Sequence, residues 1–226
     1  MSKRVDLLVA VKVLSRAKTR LRGAIGDGKG DPMRHHALAL AIATDTVAAA
    51  RDTPEVRTVL VVSADPVVTE AMRGLGVEVL ADPPGGGLNP ALRHGYALLR
   101  ERDGDAVIGA LQSDLPALRG TELSQALRAA GNARAYCADR HGTGTTLLLS
   151  AAGAPLTPEF GADSAARHAC SGALALTGAW PSLRCDTDTV ADLTLAAALG
   201  LGPRSSSVLD RSTAQRRSTI RHPPAR

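Results

Sequence analysis

The chain alternates short apolar runs with longer amphipathic stretches. VDLLVAV, residues 5 to 11, is a continuous apolar run of strand length ending at Lys12, the pattern of a strand buried on both faces. A polar, basic, glycine-containing loop follows to about Pro32, and residues 33 to 51, MRHHALALAIATDTVAAAR, carry an alanine-rich helical periodicity. RTVLVVS, residues 57 to 63, is a second strand, and strand, helix, strand is a βαβ unit. The rhythm continues with a helix near 66 to 74, a strand GVEVLA, a loop DPPGGGLN, a helix over 89 to 102 and a strand AVIGALQSD ending at Asp114. A helix over 121 to 130, strands in ARAYCAD and TTLLLS, a short helix SAARHAC, a final strand LRCDTDT and a last helix VADLTLAAALG closed by Gly200 complete the pattern. No internal repeat interrupts it. The sum predicts an α/β fold of three layers (α/β/α) with a mostly parallel sheet, whose ligands bind at the carboxyl ends of the strands.

Composition narrows this picture. At 226 residues with 44% hydrophobic content, the chain suits one sizeable core, and aromatic residues at 2% leave that core to Ala, Val and Leu. So few aromatics argue against base-stacking nucleic-acid platforms. The net charge of +5 also misleads, because residues 203–226 hold six Arg and one Asp, leaving residues 1–202 balanced. The domain expected is therefore 1–202, with 203–226 a basic Pro/Ser/Arg-rich disordered tail and no nucleic-acid partner. Within the balanced body, residues 1–34 carry nine basic and three acidic side chains, so the remainder is net negative. A basic first loop facing an acidic remainder suits a site that grips a polyanion at one end and cations at the other. Three cysteines without CxxC spacing argue against a disulfide framework or zinc site. No run reaches the roughly 18 apolar residues of a membrane span, and no secretory leader pattern is present, so a cytoplasmic location without membrane attachment is expected.

The candidate chemistry lies just after strands. Asp114 closes one strand; Asp186 and Asp188 sit within or just past the last, where positions i and i+2 face the same way, roughly 7 Å apart. Carboxylates that converge need a proton or cation to coexist. A hard divalent ion such as Mg²⁺ prefers oxygen ligands and shares them with substrate phosphates. A lone DxD is equally able to cap the helix beginning near Val190; Asp114 at a second strand end favours the metal. HGTGTTLLLS places glycines before a strand, where the backbone can approach an anion, and FGADSAARH opens a helix after Gly161. AVKVLSRAKTRL supplies Lys12, Arg16, Lys18, Arg20 and Arg22 after the first strand, without GxxxxGK[ST] or GxGxxG. No GxSxG elbow supports a hydrolase triad, and His35 and His36 in a helix are taken as structural.

Together AVKVLSRAKTRL, LQSDLPAL, DRHGTGTT, FGADSAARH and LTGAWPSLRCDTDTVADL resemble the phosphoenolpyruvate or 2-phospho-L-lactate guanylyltransferases of deazaflavin coenzyme F-420 biosynthesis, the actinobacterial phosphoenolpyruvate form most closely. The resemblance runs from about residue 5 to residue 202. It implies a single-domain Rossmann-like nucleotidyltransferase that joins GTP and phosphoenolpyruvate, releasing pyrophosphate. It further implies that Asp114, Asp186 and Asp188 hold two magnesium ions and that Thr146, Gly161 and Ser164 hold phosphoenolpyruvate. The nucleotide is expected over Lys12, Lys18 and Arg20, with Ser63 and Asn89 as further contacts. The next enzyme of the pathway is the candidate protein partner. Three other readings stay open: 2-phospho-L-lactate or 3-phosphoglycerate as acceptor, a DxD metal-dependent glycosyltransferase, and a nucleotide-sensing module without catalysis.

Overall fold

The computed structural model describes residues 4–16, 32–82 and 86–211. Its sheet is built from β1 (Val5–Ala10), β2 (Val56–Ser63), β3 (Glu78–Ala81), β4 (Val107–Leu111), β5 (Ala135–Ala138), β6 (Thr145–Leu149) and β7 (Leu174–Ala175). The strand order is β3-β2-β1-β4-β6-β5-β7. β1 runs parallel to β2 and β4, β2 parallel to β3 and β5 parallel to β7; β6 alone reverses, pairing antiparallel with β4 and β5. Every residue of β1 and β4 is buried, as the unbroken apolar runs require of central strands.

Among the described residues the helices that pack around this sheet include α1 (Pro32–Arg51), α2 (Pro66–Gly74), α3 (Leu88–Arg102), α4 (Gly120–Ala130), α5 (Ser164–Cys170), α6 (Pro181–Arg184) and α7 (Val190–Leu199). On one face Val5, Leu7 and Val9 of β1 meet apolar side chains of α1, α2 and α4. On the other, Leu8 and Ala10 share a core with Ala91, Leu92 and Leu99 of α3 and Ala165 of α5. The alternation of β1 side chains between two cores makes the three layers. Gly95 lets α3 sit close: a Cβ there would lie 2.7 Å from Leu8 Cδ2 and 3.0 Å from Val62 Cγ2. Since α1 and α3 cover opposite faces, a crevice opens between the carboxyl ends of β1 and β4.

Most predicted elements recur within a residue or two, with two departures. LRCDTDT is not a strand: its first two residues close α6 and Cys185–Thr189 are irregular. Pro181 at the first helical position and Glu122 Oε2, which accepts from the Ser182 and Leu183 N–H groups at 2.8 and 3.3 Å, favour a helical turn over extended chain. The basic tail also begins differently from expectation. Residues 203–211 are helical and Ser205 is fully buried. Asp45 of α1 caps this helix, accepting from Ser205 N at 2.7 Å, and Val208 and Leu209 pack against Leu38, Ile42 and Leu193. Two apolar side chains and a capping carboxylate outweigh the Pro/Ser/Arg composition that suggested disorder; residues 212–226 lie outside the described residues.

Candidate active site

Two clefts meet at the crevice. The first, about 240 Å³, is lined by Lys12 after β1, Gln112, Ser113 and Asp114 after β4, and Asp186 and Asp188 before α7. The second, about 310 Å³, shares Ala10, Val11, Lys12 and Leu88 with it and extends over Val62, Asp82, Gly86, Gly87 and Ala91. Together they form one groove of the size small-molecule ligands occupy.

Each wall is held by backbone bonds. The loop after β1 is fixed by Asp65: its Oδ2 accepts from Leu14 N at 2.9 Å, while Oδ1 caps α2 through Val67 N at 2.9 Å. One buried carboxylate therefore sets both the start of α2 and the path of the chain beside Lys12. Lys18 and Arg20 lie outside the described residues. At the end of β4, Gln112 N donates to Thr146 O at 2.9 Å and Leu115 N to Thr46 Oγ1 at 3.0 Å.

Asp186 and Asp188 reach the cleft without the strand expected of them. Thr187 N donates to the Asp114 carbonyl at 3.0 Å, tying this segment to the end of β4. Beyond it Thr189 and Asp192 form a capping box on α7, and Asp192 Oδ2 also accepts from Asp188 N at 3.2 Å. Arg140 pairs with the other Asp192 oxygen. Burial would raise the Asp192 carboxyl, but the bonds from Thr189 and Arg140 outweigh it and hold it below its usual range. The DxD capping role considered from the sequence thus falls to Thr189 and Asp192. Among the described residues no group of three or more His, Cys, Asp or Glu side chains is gathered closely enough to hold a metal ion. Asp114, Asp186 and Asp188 share a cleft, and as a purely oxygen donor set they match a hard divalent ion in chemistry. The cysteines are unpaired, Cys137 and Cys185 buried and Cys170 exposed.

Thr146, Gly161 and Ser164 are not in the walls of these clefts. Thr146 and Ser164 are buried, and Gly161 takes a φ of 129° that favours glycine. The loop carrying Gly161 is gripped from two sides. Asn89, in the first turn of α3, donates to Phe160 O at 3.0 Å and accepts from Phe160 N at 2.8 Å. His168 Nε2 accepts from Glu159 N at 3.1 Å, and its Nδ1 lies 2.9 Å from Thr145 Oγ1. Asn89, expected at the nucleotide, therefore has its amide engaged by the loop of Gly161. Ser63 is buried, its Oγ accepting from Asp65 N at 3.2 Å, and it contacts neither cleft. Asp65 and His168 were missed as site-builders in sequence; Asp65 directly before Pro66 was the available signal, since Asp before an N1 proline marks a helix cap.

A mixed, mostly parallel sheet with its groove at the β1–β4 crevice defines a Rossmann-like α/β fold, the fold of solved nucleotidyltransferases. A nucleotidyl transferase from Methanothermobacter thermautotroptrophicus shares the fold at a TM-score of 0.57 and 16% identity, covering 87% of this chain and 97% of that one. The chain belongs to the family described as guanylyl transferase CofC like, whose model matches residues 5–168. It is 51% identical to the phosphoenolpyruvate guanylyltransferase of Salinispora arenicola over 203 residues, 88% of this chain and 91% of the relative. It is 50% identical to the enzyme of the same name from Geodermatophilus obscurus, over 90% of this chain and 93% of the relative. Among the described residues no helix is long and apolar enough to cross a membrane.

Proposed function

We infer that this protein is a phosphoenolpyruvate guanylyltransferase of deazaflavin coenzyme F-420 biosynthesis, joining GTP and phosphoenolpyruvate to give enolpyruvyl-diphospho-5'-guanosine and pyrophosphate. The observation that carries the reading is the meeting of Asp114, Asp186, Asp188 and Lys12 on one cleft in a chain about half identical to enzymes of that name. A phosphate oxygen of the acceptor attacks the α-phosphorus of GTP, forming a P–O bond while the bond to the pyrophosphate group breaks. A phosphate monoester has a second pKa near 6, so the attacking oxygen is already ionised at neutral pH. No general base is needed, in keeping with a cleft whose walls contain no histidine among the described residues.

The difficulty is bringing two polyanions together. Lys12 brings positive charge to the groove where the clefts meet. Asp114, Asp186 and Asp188 share the cleft without forming a ready-made cluster; drawn together there they would hold Mg²⁺, two ions in our reading, which would supply charge neutralisation and alignment for in-line displacement. In our reading Thr146 of β6, Ser164 at the start of α5 and Gly161, in the loop kept in place by Asn89 and His168, hold the acceptor. Lys18 and Arg20, which lie outside the described residues, are the further cations our reading assigns to the triphosphate.

A matrix of the four nucleoside triphosphates against phosphoenolpyruvate, 2-phospho-L-lactate and 3-phosphoglycerate, with Mg²⁺, tests this by pyrophosphate release and product mass. GTP with phosphoenolpyruvate should be the fastest pair. Turnover confined to another acceptor would overturn the substrate assignment, and GTP binding without product would leave a sensing module.

A further inference from the structure

The second cleft has an apolar floor of Val62 and Ala91, glycines 86 and 87 on its rim, and one carboxylate, Asp82. Asp82 directly follows β3, its backbone N–H held by Ser63 O at 3.2 Å. That bond fixes the residue where the sheet ends and the groove begins. Its Oδ1 is buried and has no hydrogen-bond partner among the described residues. Burial pushes the carboxyl up, the nearby His94 opposing the rise. The scaffold carboxylates Asp65, Asp139 and Asp192, which line neither cleft, by contrast accept from backbone N–H groups. A buried carboxylate oxygen without a donor is unfavourable, and a ligand carrying N–H groups would offset that cost.

The chemistry of the cleft defines that ligand: a flat, apolar body with adjacent N–H donors on one edge. Guanine presents such an edge, with its N1–H beside its exocyclic amine; adenine offers a bare N1 acceptor there, which a carboxylate repels. We propose that Asp82 is the base-selecting residue, accepting the guanine N1–H and exocyclic amine while the base lies over Val62 and Ala91. This rests on the guanylyl-transfer reading above and adds the group that makes the transfer specific. It also gives the two clefts separate tasks, base selection beside Asp82 and phosphate chemistry beside Asp114, Asp186 and Asp188, with Lys12 between them.

Equilibrium binding of GDP, IDP, XDP and ADP to the full chain with Mg²⁺ tests the assignment. Inosine lacks the exocyclic amine, so the unaltered protein should bind IDP about 10-fold or more weaker than GDP. In Asp82→Asn the amide oxygen accepts from N1–H while the amide nitrogen donates to the xanthine 2-oxo group. GDP should therefore weaken about 10-fold or more, and XDP should strengthen. An unchanged GDP-to-XDP ratio in the folded variant overturns the proposal, as does equal GDP and IDP affinity in the unaltered protein, a comparison that needs no variant. Selective GDP binding without turnover of GTP on any of the three acceptors would refute the transfer reading and leave Asp82's role standing. ADP binding as tight as GDP would refute both.

Discussion

His168 should make this protein acid-sensitive in a way a single substitution removes. The ring is fully buried, with Nε2 accepting from Glu159 N and Nδ1 against Thr145 Oγ1. An Nε2 that accepts carries no proton, so the ring is neutral, with its hydrogen on Nδ1 directed at Thr145. Burial, helped by the charges of Arg134 and Arg167, pushes its pKa down to about 4. In the unfolded chain it returns to about 6.5. The unfolded state therefore binds the proton first as pH falls, and stability present above pH 6.5 is lost towards pH 4 at about 1.4 kcal/mol per unit. Between pH 6.5 and pH 5 this amounts to about 2 kcal/mol. Urea unfolding followed by Trp180 fluorescence measures it, since Trp180 is the chain's one tryptophan and is buried with its indole bonded to Gln125. His168→Gln keeps an acceptor for Glu159 N but does not titrate. Its loss of stability over the same interval should be smaller by that amount, with the other histidines and the carboxylates common to both proteins. Identical pH dependence in the two would refute the neutral, depressed imidazole.

Replacing Asp114, Asp186 or Asp188 by Asn should lower kcat at least about 100-fold, with the urea midpoint near that of the parent; full activity in a purified variant removes that residue from the machinery. Asn89→Ala breaks both bonds to Phe160, worth about 2 kcal/mol together. It should raise the KM for phosphoenolpyruvate while leaving that for GTP; the reverse pattern would return Asn89 to the nucleotide. Gly95→Ala forces a methyl against Leu8 and Val62 and should cost about 1–3 kcal/mol of stability, read from the same urea curves.

Much of the layered fold was legible because its signals are local. Continuous apolar runs gave β1, β2 and β4, and the helices read near residue 66 and near Val190 start in the structure at Pro66 and Val190. The failures were long-range. Nothing within LRCDTDT reveals that Glu122, some 60 positions earlier, takes the N–H groups of Ser182 and Leu183 and turns the chain into α6. Nothing near residue 205 reveals that Asp45 caps a helix there, 160 positions away. The two-residue β7 carries no periodicity to detect; it exists because the Leu174 and Leu176 N–H groups find Arg134 O and Tyr136 O beside β5. The three aspartates were singled out as strand-end residues, and only Asp114 is one; Asp186 and Asp188 reach the same cleft from an irregular segment that Thr187 N ties to the Asp114 carbonyl.

In sequence, an aspartate near a helix start or a strand end is ambiguous between scaffold and chemistry; the structure separates the two by what each carboxylate holds. Asp45 and Asp192 cap helices, Glu122 takes the first N–H groups of α6, and Asp65 joins a cap to the loop of Lys12. Asp139 accepts from His141, Thr143 and Gly144 N–H groups at 2.9–3.1 Å, shaping the turn before β6. These acids exchange water for fixed backbone donors and make the groove's walls rigid before any substrate arrives. Asp82, Asp114, Asp186 and Asp188 line the groove instead. The rigidity has a chemical purpose: with an acceptor already ionised, rate depends on holding two anions in line, and a wall built from internally capped turns does not have to reorganise to do so.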